Sequence, residues 1–306
     1  MKNILIRSFA KINLSIDVKG ILPNGYHDVE MIMQQVSLYD SVRISWEPWE
    51  KEEREVKVNT NLPYLPTDQR NLAYKAAVLF IQYYEYKIPY GKITIDIKKK
   101  IPVAAGLAGG SGNGAAVLLG LNALWGLDLP LSRLLEIGKE LGSDVPFCMM
   151  GQAKANGLFK EKMAASCGLA TGTGTDVKPL KGLDMYVILI KPQIGVSTKE
   201  VYEGIDKCKI LKHPDNKAIL EGLKNKDREK VFSSMANVLE EYTLKRYPVV
   251  KEIKDVLEKE TDAKKVLMSG SGPTVFAIYD DREKAINSCY QMREKGYECY
   301  WARTTR

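Results

Sequence analysis

Ile101-Pro102-Val103-Ala104-Ala105-Gly106-Leu107-Ala108-Gly109-Gly110-Ser111-Gly112-Asn113-Gly114 is the stretch on which the reading of this chain turns. Just before it, residues 92–99 alternate Ile93, Ile95 and Ile97 with polar residues, as a half-buried strand does. Just after it, residues 115–125 form an apolar run that predicts a helix. The order is strand, glycine loop, helix. Backbone N–H groups left unpaired at a helix start, together with the helix dipole, favour negative charge there. Five glycines between 106 and 114 let the backbone curl close to an oxyanion, and Ser111 adds a hydroxyl for phosphate or Mg²⁺. The stretch lacks the Gly-Lys-Ser/Thr of a Walker A loop. It also lacks the N-terminal strand and downstream acidic residue of a Rossmann fingerprint. Taken alone it reads as a polyphosphate site or a flexible connector, and the apolar helix behind it favours the first.

Outward from the loop, 306 residues are enough for two modest cores, and two domains imply a cleft. The balance of 45% hydrophobic and 27% charged residues is that of an ordinary globular chain, and no apolar run reaches the roughly 18 residues that a membrane span needs. No signal-peptide pattern stands at the N-terminus, so a cytoplasmic protein without membrane partners is expected. Cys148, Cys167, Cys208, Cys289 and Cys299 are scattered and never form a Cys-x-x-Cys pair, which points to reduced thiols and no zinc site. His27 and His213 are the sole histidines, too few for a histidine-rich metal centre, so any metal would be a hard cation held by oxygen. A net charge of +7 suits anionic partners such as nucleotides and phosphorylated metabolites, or is simply a solvated basic surface. The run Lys98-Lys99-Lys100 leads into the glycine loop, where its charge would draw polyphosphate.

Residues 9–18, 31–38 and 41–46 read as strands, the first two separated by a tight turn at Leu22-Pro23-Asn24-Gly25-Tyr26-His27. Residues 71–84 read as a helix capped by Asp68 or Asn71, and 131–141 as another that ends at Gly142-Ser143-Asp144-Val145-Pro146. Periodicity fades between 151 and 175, where the domain junction is placed. Beyond it, 185–190, 265–268, 275–279 and 297–302 read as strands and 228–242 and 249–259 as helices, an α+β mixture.

Pro-x-x-x-Gly-Leu-x-Gly-Gly-Ser ahead of a helix resembles the phosphate loop of the GHMP kinases. Phe9-Ala10-Lys11-Ile12-Asn13-Leu14 with Gly25-Tyr26-His27, then Leu141-Gly142-Ser143-Asp144-Val145-Pro146-Phe147, then Met268-Ser269-Gly270-Ser271-Gly272-Pro273 resemble, in the same order, the branch of that group whose substrate is a CDP-linked sugar alcohol. The resemblance implies an α+β, two-domain GHMP kinase fold. Residues 1–165 would form a ribosomal protein S5 domain 2-like N-terminal domain with the ATP phosphate loop. Residues 166–306 would form a ferredoxin-like C-terminal α/β sandwich completing the substrate site. It also implies ATP and Mg²⁺, a tertiary hydroxyl as acceptor, a place in non-mevalonate isoprenoid synthesis, no nucleic-acid partner, and a monomer or homodimer.

Residue by residue, the resemblance puts Asp144 where the family's general base stands, although a turn aspartate is the plainer reading. It puts Lys11 beside that base to stabilise developing charge, where a strand lysine by itself would face solvent. The loop from Pro102 through Val103, Ala104, Ala105, Gly106, Leu107, Ala108, Gly109, Gly110, Ser111 and Gly112 to Asn113 would hold ATP. Asn71 would contact adenine or merely cap its helix. Asn13, Tyr26 and His27 would hold the cytidine half, with Tyr202 as the second aromatic and the turn at 270–272 approaching from the other domain.

Two departures bear on competence. Gly112 and Gly114 stand where the family pattern has serine and alanine, which removes a hydroxyl and loosens the helix start. Residues 154–167 look like an insertion not far in sequence from Asp144. Beside the kinase reading therefore stand a GHMP kinase for another alcohol, an impaired nucleotide-binding homologue, and an RNA-binding protein, the last without any aromatic and basic interleaving to support it.

Overall fold

The computed structural model describes residues 2–306. They form two compact units between which the chain passes several times. The first contains the chain up to Ala10, Leu38–Ile101 and Ala108–Ser166; the second contains Lys11–Ser37, Pro102–Leu107 and Cys167–Arg306. Strands β1 (Lys2–Ile21) and β2 (His27–Glu47) contribute to both. Between them lies the tight turn: Leu22 N–H donates to the Tyr26 carbonyl at 2.7 Å, and Gly25, at φ 81°, donates to the Leu22 carbonyl at 2.9 Å.

In the first unit the later part of β2 pairs antiparallel with β4 (Gly91–Lys98), Val42, Ile44 and Trp46 facing Ile97, Ile95 and Ile93, and β4 pairs parallel with β3 (Arg54–Thr60). The isoleucines of β4 are buried, as their alternation predicts. Helices α1 (Leu72–Tyr84), α2 (Gly109–Trp125), α3 (Leu131–Leu141) and α4 (Val145–Ala155) pack on one another, and α1 also packs against β3. Here α2 begins at Gly109, not at 115. Its glycine-rich first turns are poor helix formers by propensity, and packing overrides that. A β-carbon on Gly112 would lie 2.7 Å from Ser8 Oγ, and one on Gly114 would lie 3.3 Å from the Leu72 carbonyl, so the missing side chains let the helix seat closely. Sequence periodicity also misses α4, because residues 145–153 are all buried and leave no polar face to mark a period.

In the second unit the early part of β2 pairs with β5 (Cys167–Gly172), and β5 with β6 (Asp176–Leu180). An antiparallel sheet of order β10-β7-β9-β8 joins β7 (Tyr186–Ile190), β8 (Lys265–Met268), β9 (Val275–Tyr279) and β10 (Cys299–Arg303). Helices α5 (Thr198–Ile205), α6 (Asn216–Asn225), α7 (Arg228–Ser234), α8 (Glu240–Arg246), α9 (Pro248–Glu260) and α10 (Arg282–Glu294) complete it, with α9 on β8 and β9, and α10 on β7, β9 and β10. The single helix expected over 228–242 is two helices. Between them the backbone bridges to β1: Ile16 N–H donates to the Ala236 carbonyl at 3.1 Å, and Val238 N–H to the Ile16 carbonyl at 3.1 Å. Among the described residues no helix is long and apolar enough to cross a membrane.

Candidate functional site

In the glycine loop, Ala104, Gly106 and Ala108 take φ values of 51°, 71° and 54°, whereas Ala105 and Leu107 between them are not left-handed. Backbone that alternates in this way turns successive N–H groups toward one side, the concave arrangement that binds anions. Two of the three left-handed residues are alanines, each of which costs roughly 1–2 kcal/mol in this conformation. Strain of that kind persists where surrounding contacts hold it.

Those contacts, in the second unit, come from the turn 269–272. Ser269 Oγ donates to the Gly106 carbonyl at 2.9 Å, and a β-carbon on Gly106 would fall 2.2 Å from the Ser269 carbonyl oxygen. The turn is braced in its own right: Asn237 Nδ2 donates to the carbonyls of Met268 and Gly270 at 2.9 and 2.8 Å, and Glu240 accepts from Met268 N–H at 2.7 Å. Lys11 N–H donates to the Leu107 carbonyl at 3.2 Å and ties the far end of the segment to β1.

In the first unit, α2 opens with no side-chain cap and no acidic residue in its first turn. The amides of Gly109, Gly110 and Ser111 are thus left for a ligand, at the positive end of a 17-residue helix. Beneath this turn lies a buried polar network. Lys99, Asp40, Asn113 and Ser8 are joined by hydrogen bonds, Asn113 Nδ2 donating to Asp40 Oδ2 at 3.0 Å and to Ser8 Oγ at 3.1 Å while its Oδ1 accepts from Lys99 at 3.1 Å. Both ends of the Asn113 amide are therefore engaged inside the protein. Lys99 departs from the expectation of a surface charge: its side chain is only 6% exposed and pairs with Asp40, leaving Lys98 and Lys100 at the surface.

Gly112 faces the same buried side. A side chain there would point at Ser8 Oγ, Gln152 Nε2 and the Phe9 carbonyl, and Gln152 Nε2 already donates to the Gly112 carbonyl at 3.0 Å. A serine at 112 would thus put its hydroxyl into the network and away from the uncapped amides. Asn71 caps α1, Oδ1 accepting from Ala73 N–H at 2.9 Å while Nδ2 donates to the Pro66 carbonyl at 2.8 Å. Asp144 holds the N-cap position of α4 but does not cap it with its side chain; its carbonyl accepts from Cys148 N–H at 3.0 Å. Asp144 thus stands in the turn that leads into α4 without serving as its side-chain cap.

In the second unit β1 carries Lys11, Asn13, Ser15 and Asp17 on one face, all buried, and Ile12, Leu14 and Ile16 on the other. Lys11 is 4% exposed, so the solvent-facing alternative falls. Its ammonium donates to Asn13 Oδ1 at 2.6 Å, and Asn13 Nδ2 donates to Met31 Sδ at 3.4 Å. A stripe of buried polar residues at a spacing of two is a signal that periodicity alone assigns to a solvent face. Past the turn, Tyr26 is 66% exposed, and the ring lying against Tyr202 is that of His27, with centroids 5.0 Å apart. His27 Nε2 also meets Asp206 Oδ1 at 2.8 Å. Tyr202 and Asp206 are one helical turn apart, so α5 and its end present both to the imidazole. Nothing local in the sequence marks Asp40, Ser8, Gln152 or Asp206, because their partners lie far along the chain.

Residues 71–152 match the family model described as GHMP kinases N terminal domain, and residues 219–298 the one described as GHMP kinases C terminal. The class these define is that of the GHMP kinases, with its two-domain α+β fold. Within it, the 4-diphosphocytidyl-2-C-methyl-D-erythritol kinase of Clostridioides difficile (strain 630) is 44% identical over 302 residues, covering 98% of this chain and 95% of that protein. The enzyme of the same name from Alkaliphilus oremlandii (strain OhILAs) is 44% identical over 293 residues, covering 95% and 92%. A crystal structure of 4-(cytidine 5'-diphospho)-2C-methyl-D-erythritol kinase superposes with a TM-score of 0.77 at 26% identity, covering 99% of this chain and 100% of that one. The chain belongs to the 4-diphosphocytidyl-2-C-methyl-D-erythritol kinase family of GHMP kinases.

Proposed function

We propose that this protein is a cytoplasmic kinase that transfers the γ-phosphoryl group of ATP to the 2-hydroxyl of 4-diphosphocytidyl-2-C-methyl-D-erythritol, a step of non-mevalonate isoprenoid synthesis. The observation that carries the reading is the uncapped, glycine-lined start of α2 behind a loop of alternating left-handed residues, a backbone shape suited to a polyphosphate. Family membership supplies the acceptor.

In this reading residues 102–113 embrace the ATP phosphates and Asn71 borders the adenine. Asp144 accepts the proton of the attacking hydroxyl, and Lys11, oriented by Asn13, stabilises the charge that develops on the transferred group. His27, Tyr202, Tyr26 and Asn13 hold the cytidine half. Among the described residues no group of three or more His, Cys, Asp or Glu side chains is placed to hold a metal. That suits Mg²⁺, which keeps several waters and rides on nucleotide phosphates, with the Ser111 hydroxyl at the start of α2 as the side-chain oxygen available to it. When bound, Mg²⁺ would neutralise phosphate charge.

Gly112 does not argue for an impaired homologue, since its missing side chain would face the buried network rather than the helix start. Purified protein given ATP, Mg²⁺ and the CDP-linked methylerythritol is expected to release ADP in step with substrate phosphorylation. Asp144→Asn is expected to lower turnover by roughly 10²–10⁴-fold, the usual worth of a general base, with little change in substrate affinity. Wild-type protein that binds nucleotide but phosphorylates nothing would sink the proposal.

A further inference from the structure

We propose that Asp40 is a positioning residue for nucleotide binding, clamping together the two points where the chain enters and leaves the phosphate-binding segment; this rests on reading 102–113 as that segment. Asp40 is wholly buried, and a buried carboxylate is tolerated only when its oxygens are supplied with donors and counter-charge. Four donors meet it. Oδ1 accepts from the backbone N–H of Lys100 at 2.7 Å and of Ile101 at 2.8 Å, the last two residues before the loop. Oδ2 accepts from Asn113 Nδ2 at 3.0 Å, in the second turn of α2, and from the Lys99 ammonium. One carboxylate thus holds both the approach to the loop and the helix that follows it.

Electrostatics make the clamp specific to this place. The Lys99 ammonium lies 3.1 Å from where a β-carbon of Gly109 would stand, directly under the first turn of α2. A helix start carries about half a positive charge, so an ammonium there is repelled unless a carboxylate accompanies it. Asp40 neutralises Lys99 and allows cation and helix start to sit together under the amides of residues 109–111. A network that served only core stability would not place its arms on either side of the anion-binding backbone.

The test compares Asp40→Asn with the double variant Asp40→Asn/Lys99→Met, which leaves no buried charge unpaired and keeps the experiment readable should the single variant misfold. Calorimetric titration with ADP and with a non-hydrolysable ATP analogue is set beside titration with the CDP-linked substrate. Nucleotide affinity is expected to fall at least tenfold in the single variant and at least fivefold in the double. Affinity for the CDP-linked substrate should stay within twofold, so that KM for ATP rises while KM for the other substrate holds. Nucleotide affinity within twofold of wild type in a folded variant would overturn the inference. So would a parallel loss for both ligands, which marks a merely structural role. Wild-type protein that binds nucleotide without phosphorylating the CDP-linked alcohol would instead overturn the proposed function and leave Asp40 in its role.

Discussion

Gly106→Ala probes the seat of the phosphate loop within one unit of the chain. Gly106 sits at φ 71°, and an added β-carbon would come within 2.2 Å of the Ser269 carbonyl oxygen and 2.9 Å of the Gly272 carbonyl oxygen. Both obstacles are backbone, so no side chain can turn aside. The left-handed conformation costs an alanine roughly 1–2 kcal/mol, and relieving an overlap of this kind costs roughly 1–3 kcal/mol. Moving the loop away would also forfeit the Ser269 hydrogen bond, worth about 1 kcal/mol. Ala104 and Ala108 tolerate the same φ region, so conformation alone is not prohibitive and the contact with 269–272 decides the outcome. The sum, about 3–6 kcal/mol, corresponds to a loss of roughly two to four orders of magnitude in kcat/KM for ATP if all of it falls on the competent loop. Ser269→Ala removes only the hydrogen bond and should cost about fivefold. Initial rates of ADP release across ATP concentrations, beside Tm for both variants, measure this. A Gly106→Ala enzyme within threefold of wild type, or no worse than Ser269→Ala, would refute the reasoning.

Three further outcomes are expected. Gly112→Ser should keep activity within about threefold, because the obstacle is the hydroxyl end of Ser8, which can rotate at the cost of one hydrogen bond of about 1 kcal/mol; a tenfold loss would mean that the first turns of α2 cannot adjust. Asp206→Ala should raise KM for the CDP-linked substrate about three- to tenfold, by freeing His27 Nε2, and leave KM for ATP unchanged; equal effects on both would remove His27 from the substrate side. Burial first, then repulsion from Lys212 and Lys254, brings the Lys265 ammonium down to about 8. The unfolded chain then binds more protons than the native one between about pH 8 and 10.5, so stability from this group rises through that window and its penalty is complete below it. Lys265→Met should therefore flatten the dependence of Tm on pH between 8 and 10, and an unaltered slope would show that Lys265 is not its source.

The elements that could be read from sequence are those whose pattern is local. The isoleucines of β4, the Asn-Gly turn before Tyr26 and the amphipathic α3 each show their period or punctuation within a dozen residues, and the structure places them as expected. The start of α2 was obscured because glycine, serine and asparagine favour a loop by propensity, and only the approach of Ser8 and Leu72 explains why a helix forms there. The helix expected over 228–242 breaks because Asn237 is recruited by the carbonyls of Met268 and Gly270, 31 and 33 residues away.

The same distinction separates the candidate site residues that are legible in the sequence from those that are not. Lys11, Asp144 and the glycines lie in short motifs, whereas Asp40 becomes notable only when it meets Lys99 and Asn113, 59 and 73 residues further on. A lone aspartate within a strand gives no such sign, because burial of its charge is tolerable solely through partners that the fold brings to it. This also inverts the weight of the two glycines. In sequence Gly112 subtracts a hydroxyl from a phosphate loop, but in the folded chain that hydroxyl would have joined Ser8 and Gln152 beneath the helix. The donors that the proposed function assigns to phosphate are backbone amides at the uncapped start of α2, and glycine at 112 leaves them in place.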